Sequence, residues 1–178
     1  MLNKRQFLLS ATVVPGLGLM AGQATAQTQN ESPNSEVHQK INALINEYAR
    51  TLDAGRIEDC AALFMHADFT IEGVASVRGQ SGVADLFSAI IIYEDGTPRT
   101  KHLISNVEIE VSSDGKTARA LSYLTVMQQV GSHPLKPIFS GAYADEFSLR
   151  EETWAFVSRT VSGALIGDMS MHLTTTPN

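Results

Sequence analysis

Cysteine occurs once in the 178 residues, at Cys60, so no disulfide can form within the chain in any redox compartment. Its neighbours Ala61, Ala62 and Leu63 describe a buried, inert thiol rather than a nucleophile. Positive charge is also short: 13 Lys+Arg stand against 19 Asp+Glu, a formal charge of −6, which argues against nucleic acid and anionic membrane as partners. One long apolar run exists, Phe7 to Met20. Pro15, Gly16 and Gly18 interrupt it and it is too short for a comfortable span, so no stable membrane insertion is expected. The glycine patterns that cradle nucleotide phosphates are missing, and so is G-x-S-x-G. Neither a nucleotide cofactor nor serine hydrolysis is suggested, and no cofactor of any kind is implied. His66, His133 and His172 form no H-x-H or H-x3-H pair. Asp168 and His172 would share a strand face four residues apart, too far for one ion without a bend, so no metal site is expected.

What is present begins with an export signal over residues 1–26. Lys4-Arg5 precede the apolar run, and Ala24-Thr25-Ala26 form an A-x-A cleavage site near Ala26. The opening Asn3-Lys-Arg-Gln-Phe resembles a twin-arginine signal with lysine in the first basic place. A periplasmic or secreted protein is the expectation, with an uncleaved N-terminal anchor as the alternative. Cleavage would remove two of the 13 basic residues and none of the 19 acidic ones, leaving the mature chain more acidic still. Residues 27–35 are polar, contain Pro33 and read as a flexible leader.

Residues 36–174 read as one domain. Ser35 is a candidate N-cap, and Ile41, Leu44, Ile45, Tyr48 and Leu52 recur at helical spacing until Gly55 supplies a stop. A shorter helix is expected over 56–65 with Ile57, Ala61 and Phe64 inward. Short strands follow at 69–73 and 76–78, then a helix over 79–92 with Val83, Leu86, Phe87 and Ile90 on one side. Beyond Thr100 the pattern is strand-like: 101–111, 118–130, 138–149, 153–161 and 164–173. Ser112-Ser-Asp-Gly115 reads as a hairpin turn, and Pro134 and Pro137 sit in a loop because proline cannot join a ladder. Helices followed by long hairpin-linked strands describe an α+β fold, a curved, mostly antiparallel sheet forming a cone covered by N-terminal helices. Such a cone can enclose a cavity.

The order of several short patterns resembles the SnoaL-like families of the nuclear transport factor 2-like, or cystatin-like, superfamily. These are Tyr48-x4-Asp53-x-Gly55, Leu63-Phe64-x3-Asp68, Val77-Arg-Gly79, Thr100-x-His102-x3-Asn106, Gly141-x-Tyr143-x-Asp145 and Trp154-x4-Arg159. The likeness runs from about Val37 to Leu173 and is closest to the Asp–His dehydratases and dehydrohalogenases, among them scytalone dehydratases, hexachlorocyclohexane dehydrochlorinases and bile acid dehydratases. It implies catalytic roles for His102 as general base and Asp53 as the group that orients it. By the same resemblance Tyr48 and Arg159 take the places of an active-site tyrosine and arginine. It further implies a homodimer or homotrimer. The family also holds non-catalytic binders, so the fold does not settle function.

The residues themselves leave alternatives open. Asp53 ends a helix, where the dipole disfavours a carboxylate, so either a cation compensates it or it is an exposed loop residue. His102 can titrate near neutral pH, and an adjacent carboxylate would fix its tautomer. Strict alternation, however, groups His102 with Ile104, Asn106, Glu108 and Glu110 on the polar side, away from the helices. A bulge near Ser105-Asn106 would flip the register and turn the imidazole inward. Tyr48 is either an ordinary core tyrosine or a pocket residue. Arg159, on a face with Ala155, Val157 and Val161, is either a pocket cation or a paired edge charge. Two functions follow. One is a cofactor-independent lyase or isomerase acting on a small hydrophobic molecule (aromatic, polycyclic or steroid-like) by dehydratase-type elimination or related proton abstraction, including C–C cleavage. The alternative is a periplasmic binder of a small hydrophobic ligand without chemistry.

Overall fold

The computed structural model describes residues 33–174; the expected signal and most of the expected leader lie outside them. Helix α1 spans Pro33–Asp53 and opens two residues ahead of the expected cap, with proline at its first position, where a missing N–H costs nothing. Ile41, Ile45, Tyr48 and Leu52 are its buried stripe, as the 3.6-residue period requires. The helix ends at a Schellman motif: Gly55 N–H donates to Leu52 O and Arg56 N–H to Thr51 O, with Gly55 at φ +71°. A Cβ on Gly55 would stand 2.0 Å from Gly96 O, so this stop must be glycine for space as well as for conformation. That closure fixes the direction in which Asp53 leaves the last turn.

Helix α2 is Ile57–Ala62, shorter than expected, because the chain turns at Leu63 to bury Phe64 completely. Strands β1 (Asp68–Ile71) and β2 (Ala75–Arg78) form a hairpin, and α3 (Gly79–Phe87) follows with Val83 and Phe87 buried. Four long strands complete the fold: β3 (Thr100–Val111), β4 (Thr117–Gln128), β5 (Lys136–Arg150) and β6 (Thr153–Ile166). The sheet order is β2-β1-β6-β5-β4-β3, antiparallel throughout except for the parallel β1–β6 pair. Against the helices its inner face packs an aromatic cluster of Tyr48, Phe64, Phe69, Phe87, Phe147 and Phe156, with ring centroids 4.7 to 6.3 Å apart. Each such ring removed from water contributes about 1.5–3 kcal/mol.

Three irregularities depart from simple alternation, and each has a local cause. In β3 the register slips between Ser105 and Glu108 so that Asn106 and Val107 together oppose Ser122, with Asn106 at φ +52°. In β6 Val157 is the extra residue between the pairs Phe147↔Phe156 and Glu146↔Ser158. Farther along β6, Gly163 (φ +60°) and Ala164 form a bulge opposite Gly141, so the strand continues to Ile166 where a break had been expected. Pro137 also departs from expectation. It joins β5 next to the slip between Val126 and Met127, where a missing N–H is tolerated. The expected final strand over 164–173 does not form. Residues beyond Ile166 run as an irregular segment, with a bridge between Ile90 and Leu173 as their one ladder pairing among the described residues.

Candidate active site

The bulge at Asn106 decides where His102 points. Before it Thr100, His102 and Ile104 face the helices; after it Val107, Ile109 and Val111 do, and Leu103 is left outside at 55% exposure. One inserted residue thus turns both the imidazole and the greasy half of β3 to the same side. The end of α1 meets β3 there. The Thr100 hydroxyl donates to Asp53 Oδ1 at 2.7 Å, the His102 backbone N–H donates to Oδ2 at 2.8 Å, and His102 Nδ1 lies 2.7 Å from Oδ1. The side chains of His102 and Asp53 are only 5% and 11% exposed. Burial pushes the Asp53 carboxyl upward, but the hydrogen bonds and charge of His102 and the Thr100 hydroxyl outweigh it and hold the group below its ordinary value. The carboxylate is therefore ionised at neutral pH and can only accept, so Nδ1 carries a proton, and in the neutral form of the ring the lone pair is on Nε2. The unfavourable place of Asp53 at a helix C-terminus is compensated by these donors.

Behind the pair stands a buried charge. The bulge at Val157 puts Arg159 on the face of Trp154 and Phe156, not on that of Ala155 and Val157 as strict alternation had it. Arg159 is 0% exposed and bidentate to Asp145, at 2.7 Å from Nε and 2.6 Å from Nη2. It is a paired charge, as one alternative held, but in the core rather than at an edge. Its guanidinium lies 4.3 Å from the ring centre of Tyr48 and 4.0 Å from that of Tyr143, and its Nη1 has no partner. Tyr48 is 4% exposed, with its ring 6.1 Å from that of His102 and edge-on to it. Burial, with Tyr143 and Cys60 nearby, raises its phenol well above the ordinary value, so it stays neutral. Cys60 is buried, and burial pushes its thiol up to about 11, which suits an inert role. The four sequence-nominated residues therefore stand in one chain of contacts, Asp53–His102–Tyr48–Arg159.

Two partners were not nominated as site residues from the sequence, Thr100 and Asp145, and both sat inside the motifs quoted above. His172 had been considered only as a metal ligand beside Asp168. Instead Asp168 faces solvent and pairs with Lys136 at 2.7 Å, whereas His172 is buried, with an Nδ1 that has no hydrogen-bond partner. Its signal in the sequence was a lone imidazole between Met171 and Leu173. Among the described residues no group of three His, Cys, Asp or Glu side chains converges as a metal site would require. Two grooves of about 300 and 470 Å³ open elsewhere, one on the outer sheet face beside Arg119 and Glu146, one beside α1 at Leu44 and Trp154, and neither is lined by Asp53 or His102.

The architecture is an α+β cone whose helices cover a curved sheet, with a carboxylate–imidazole pair at the end of the first helix. The chain belongs to the SnoaL-like domain family, whose profile matches residues 33–160. Among solved structures it is similar to an NTF2-like protein with a cystatin-like fold from Novosphingobium aromaticivorans, at 19% identity and TM-score 0.59, covering 74% of this chain and 90% of that one. A scytalone dehydratase candidate from the same organism matches at 18% identity and TM-score 0.60, over 76% and 90% of the two chains. Hexachlorocyclohexane dehydrochlorinase LinA-type3 from Novosphingobium barchaimii matches at 18% and 0.58, over 72% and 87%. These likenesses carry the fold. A search of curated protein sequences finds no significant match.

Proposed function

We propose that this chain is a cofactor-independent lyase or isomerase acting on a hydrophobic cyclic or aromatic small molecule. The observation that carries the reading is the 2.7 Å contact between His102 Nδ1 and Asp53 Oδ1 in a nearly closed setting. In this arrangement His102 Nε2 removes a proton from carbon or from a hydroxyl, and Asp53 stabilises the imidazolium that forms. General acid–base catalysis of this kind supplies about 10²–10⁴-fold. Tyr48 provides a neutral hydroxyl, and Arg159 lies behind it as a fixed positive charge that favours negative charge developing on the substrate. Elimination of water or halide is the first choice of reaction; double-bond migration and C–C cleavage use the same groups.

The test is product analysis by mass spectrometry over a panel of aromatic, polycyclic and steroid-like alcohols, halides and ketones. The expected outcome is conversion by the native chain and a fall of about 10²–10⁴-fold in His102→Ala and in Asp53→Asn, both of which remain folded. Full turnover in either variant would remove the pair from the chemistry. The second reading, a binder without chemistry, is favoured by how little of the pair reaches solvent. Tight binding with the ligand recovered unchanged would establish it.

Two further proposals accompany this. The N-terminal 26 residues direct the chain to the periplasm or outside the cell, which fractionation of cells expressing the full chain would check. The chain self-associates through the outer sheet face, where Leu103, Leu121 and Tyr123 are 55%, 58% and 60% exposed. Light scattering that returned a single-chain mass would contradict it. No helix among the described residues is long and apolar enough to cross a membrane.

A further inference from the structure

Strand β6 outruns the strand beside it. β1 pairs with β6 only from Ser158 to Val161, and Glu72 N–H closes that ladder on Val161 O at 3.0 Å. β6 continues from Ser162 to Ile166, held on its other side by Phe139, Ser140 and Ala142 of β5. Among the described residues no strand pairs with this stretch on the side that β1 has left. Gly163, Ala164, Leu165 and Ile166 are all exposed, the last two at 73% and 60%. Leu165 and Ile166 are consecutive in a strand, so they point to opposite faces, and neither face is covered there. A Cβ on Gly163 would meet nothing within 4 Å. A row of unpaired backbone groups therefore lies in water between exposed apolar side chains.

The two outermost strands of the sheet are guarded, and this stretch is not. β3 carries Lys101, Glu108 and Glu110 as exposed residues along its length. β2 has only four residues, and its Arg78 is tied to Asp68 at 2.7 Å. Charge and shortness are two of the means by which strand edges avoid pairing with one another. From Thr160 to Gly167 the chain reads Thr-Val-Ser-Gly-Ala-Leu-Ile-Gly, without a charged residue.

We propose that Ser162–Ile166 is a docking edge for a second copy of this chain, pairing antiparallel with the same stretch about a two-fold axis. A two-fold interface uses one patch twice, so the patch must complement itself. The register centred on Ala164 meets that condition. It sets Leu165 beside the partner's Gly163 and Ile166 beside the partner's Ser162, so each large side chain meets a small one and no like charges meet. The backbone supplies the hydrogen bonds, and the two sheets join edge to edge. So short an edge buries less than the roughly 1,200 Å² of a stable interface, and the pairing is accordingly weak and concentration-dependent. It is independent of the association through the outer sheet face proposed above. Leu165 lies on that face, in a row with Leu103, Thr125 and Ser140, whereas Ile166 lies on the other.

The experiment measures amide hydrogen exchange of the full chain at about 10 µM and about 1 mM. In a monomer–dimer equilibrium the free fraction falls at most with the square root of concentration. The amides of Ser162–Ile166 should therefore exchange up to about 10-fold more slowly at the higher concentration, while those of β3 keep their rates. Leu165→Lys/Ile166→Lys changes two exposed positions and should abolish the slowing with the fold intact. Leu121→Glu/Tyr123→Glu disturbs the outer face and should leave the slowing in place. Equal rates at the two concentrations overturn the inference, and so does slowing shared equally by β3, which marks general association. Slowing that survives in the lysine variant and vanishes in the glutamate variant assigns the protection to the outer face and overturns the edge. None of these outcomes bears on the dyad.

Discussion

Asp53 holds His102 twice, by the backbone N–H at 2.8 Å and by the ring Nδ1 at 2.7 Å. One carboxylate therefore sets both the start of β3 and the tautomer of its histidine. In Asp53→Asn the amide offers one acceptor where the carboxylate offered two, and its NH2 faces the ring. The imidazole is then expected to move its proton to Nε2, and the lone pair needed for a base is lost. The imidazole 15N shifts of His102 should report the exchange of tautomers directly, and turnover should fall about 10²–10⁴-fold with the far-UV spectrum unchanged. Unchanged ring shifts would mean that the carboxylate does not determine the tautomer.

The inward turn of His102 depends on a backbone conformation that few side chains accept. Asn106 sits at φ +52°, a region asparagine tolerates and β-branched residues do not. Asn106→Gly is expected to leave stability within about 1 kcal/mol of the native chain. Asn106→Val should cost on the order of 1–3 kcal/mol, or restore plain alternation and expel the imidazole. Urea unfolding measures the first effect, and the solvent exchange of the His102 ring proton measures the second.

Much of this arrangement was legible in the residues, and what was not has a common cause. The helical stripe ending at Leu52 and the stop at Gly55 are local signals, and they come out as read. The facing of His102 and Arg159 is not local. Alternation of apolar and polar residues assigns both to the wrong face, and in each case one extra residue, near Asn106 and at Val157, reverses it. Bulges carry no strong sequence mark; Asn106 was suggestive only because a histidine stood four residues earlier. The final segment failed for a related reason. Gly163 looked like a break between two strands and is instead a bulge within one, so the residues after Ile166 form no further strand and bond instead to Ile138, Ile91, Tyr93 and Gln128.

The ion pair of Arg159 and Asp145 is fully enclosed, so its two halves are expected to respond very differently to single and paired replacement. Asp145→Leu leaves a buried guanidinium without its carboxylate and should cost about 3–5 kcal/mol. Arg159→Met strands the carboxylate and should cost a similar amount. The double variant Arg159→Met/Asp145→Leu removes both charges and should recover most of the loss, which a double-mutant cycle in urea would measure as a coupling of several kcal/mol. It follows that an Arg159 single variant cannot by itself test a catalytic role, because loss of folding would pass for loss of chemistry. The doubly replaced chain, if folded and able to turn over substrate at the native rate, would exclude Arg159 from the mechanism.

His172 should leave a signature in the dependence of stability on pH. Burial, then the charge of His102, holds its imidazole at about 4 against an ordinary value of 6.5, so the unfolded chain binds this proton more readily than the folded one. Stability is therefore unaffected by this group above about 6.5 and declines as pH falls from there toward 4. The decline amounts to on the order of 3 kcal/mol at about 1.4 kcal/mol per unit. Asp53 acts lower on the scale: its depressed value means that its contribution is present above about 3.8 and is lost only as pH drops through its folded value. The two windows are separate, so replacing His172 with phenylalanine should flatten the curve between pH 6.5 and 4 and leave the more acidic decline in place. Urea unfolding of both chains at half-unit steps across this range would decide it. An identical slope in the two would mean that His172 is not held neutral by its surroundings.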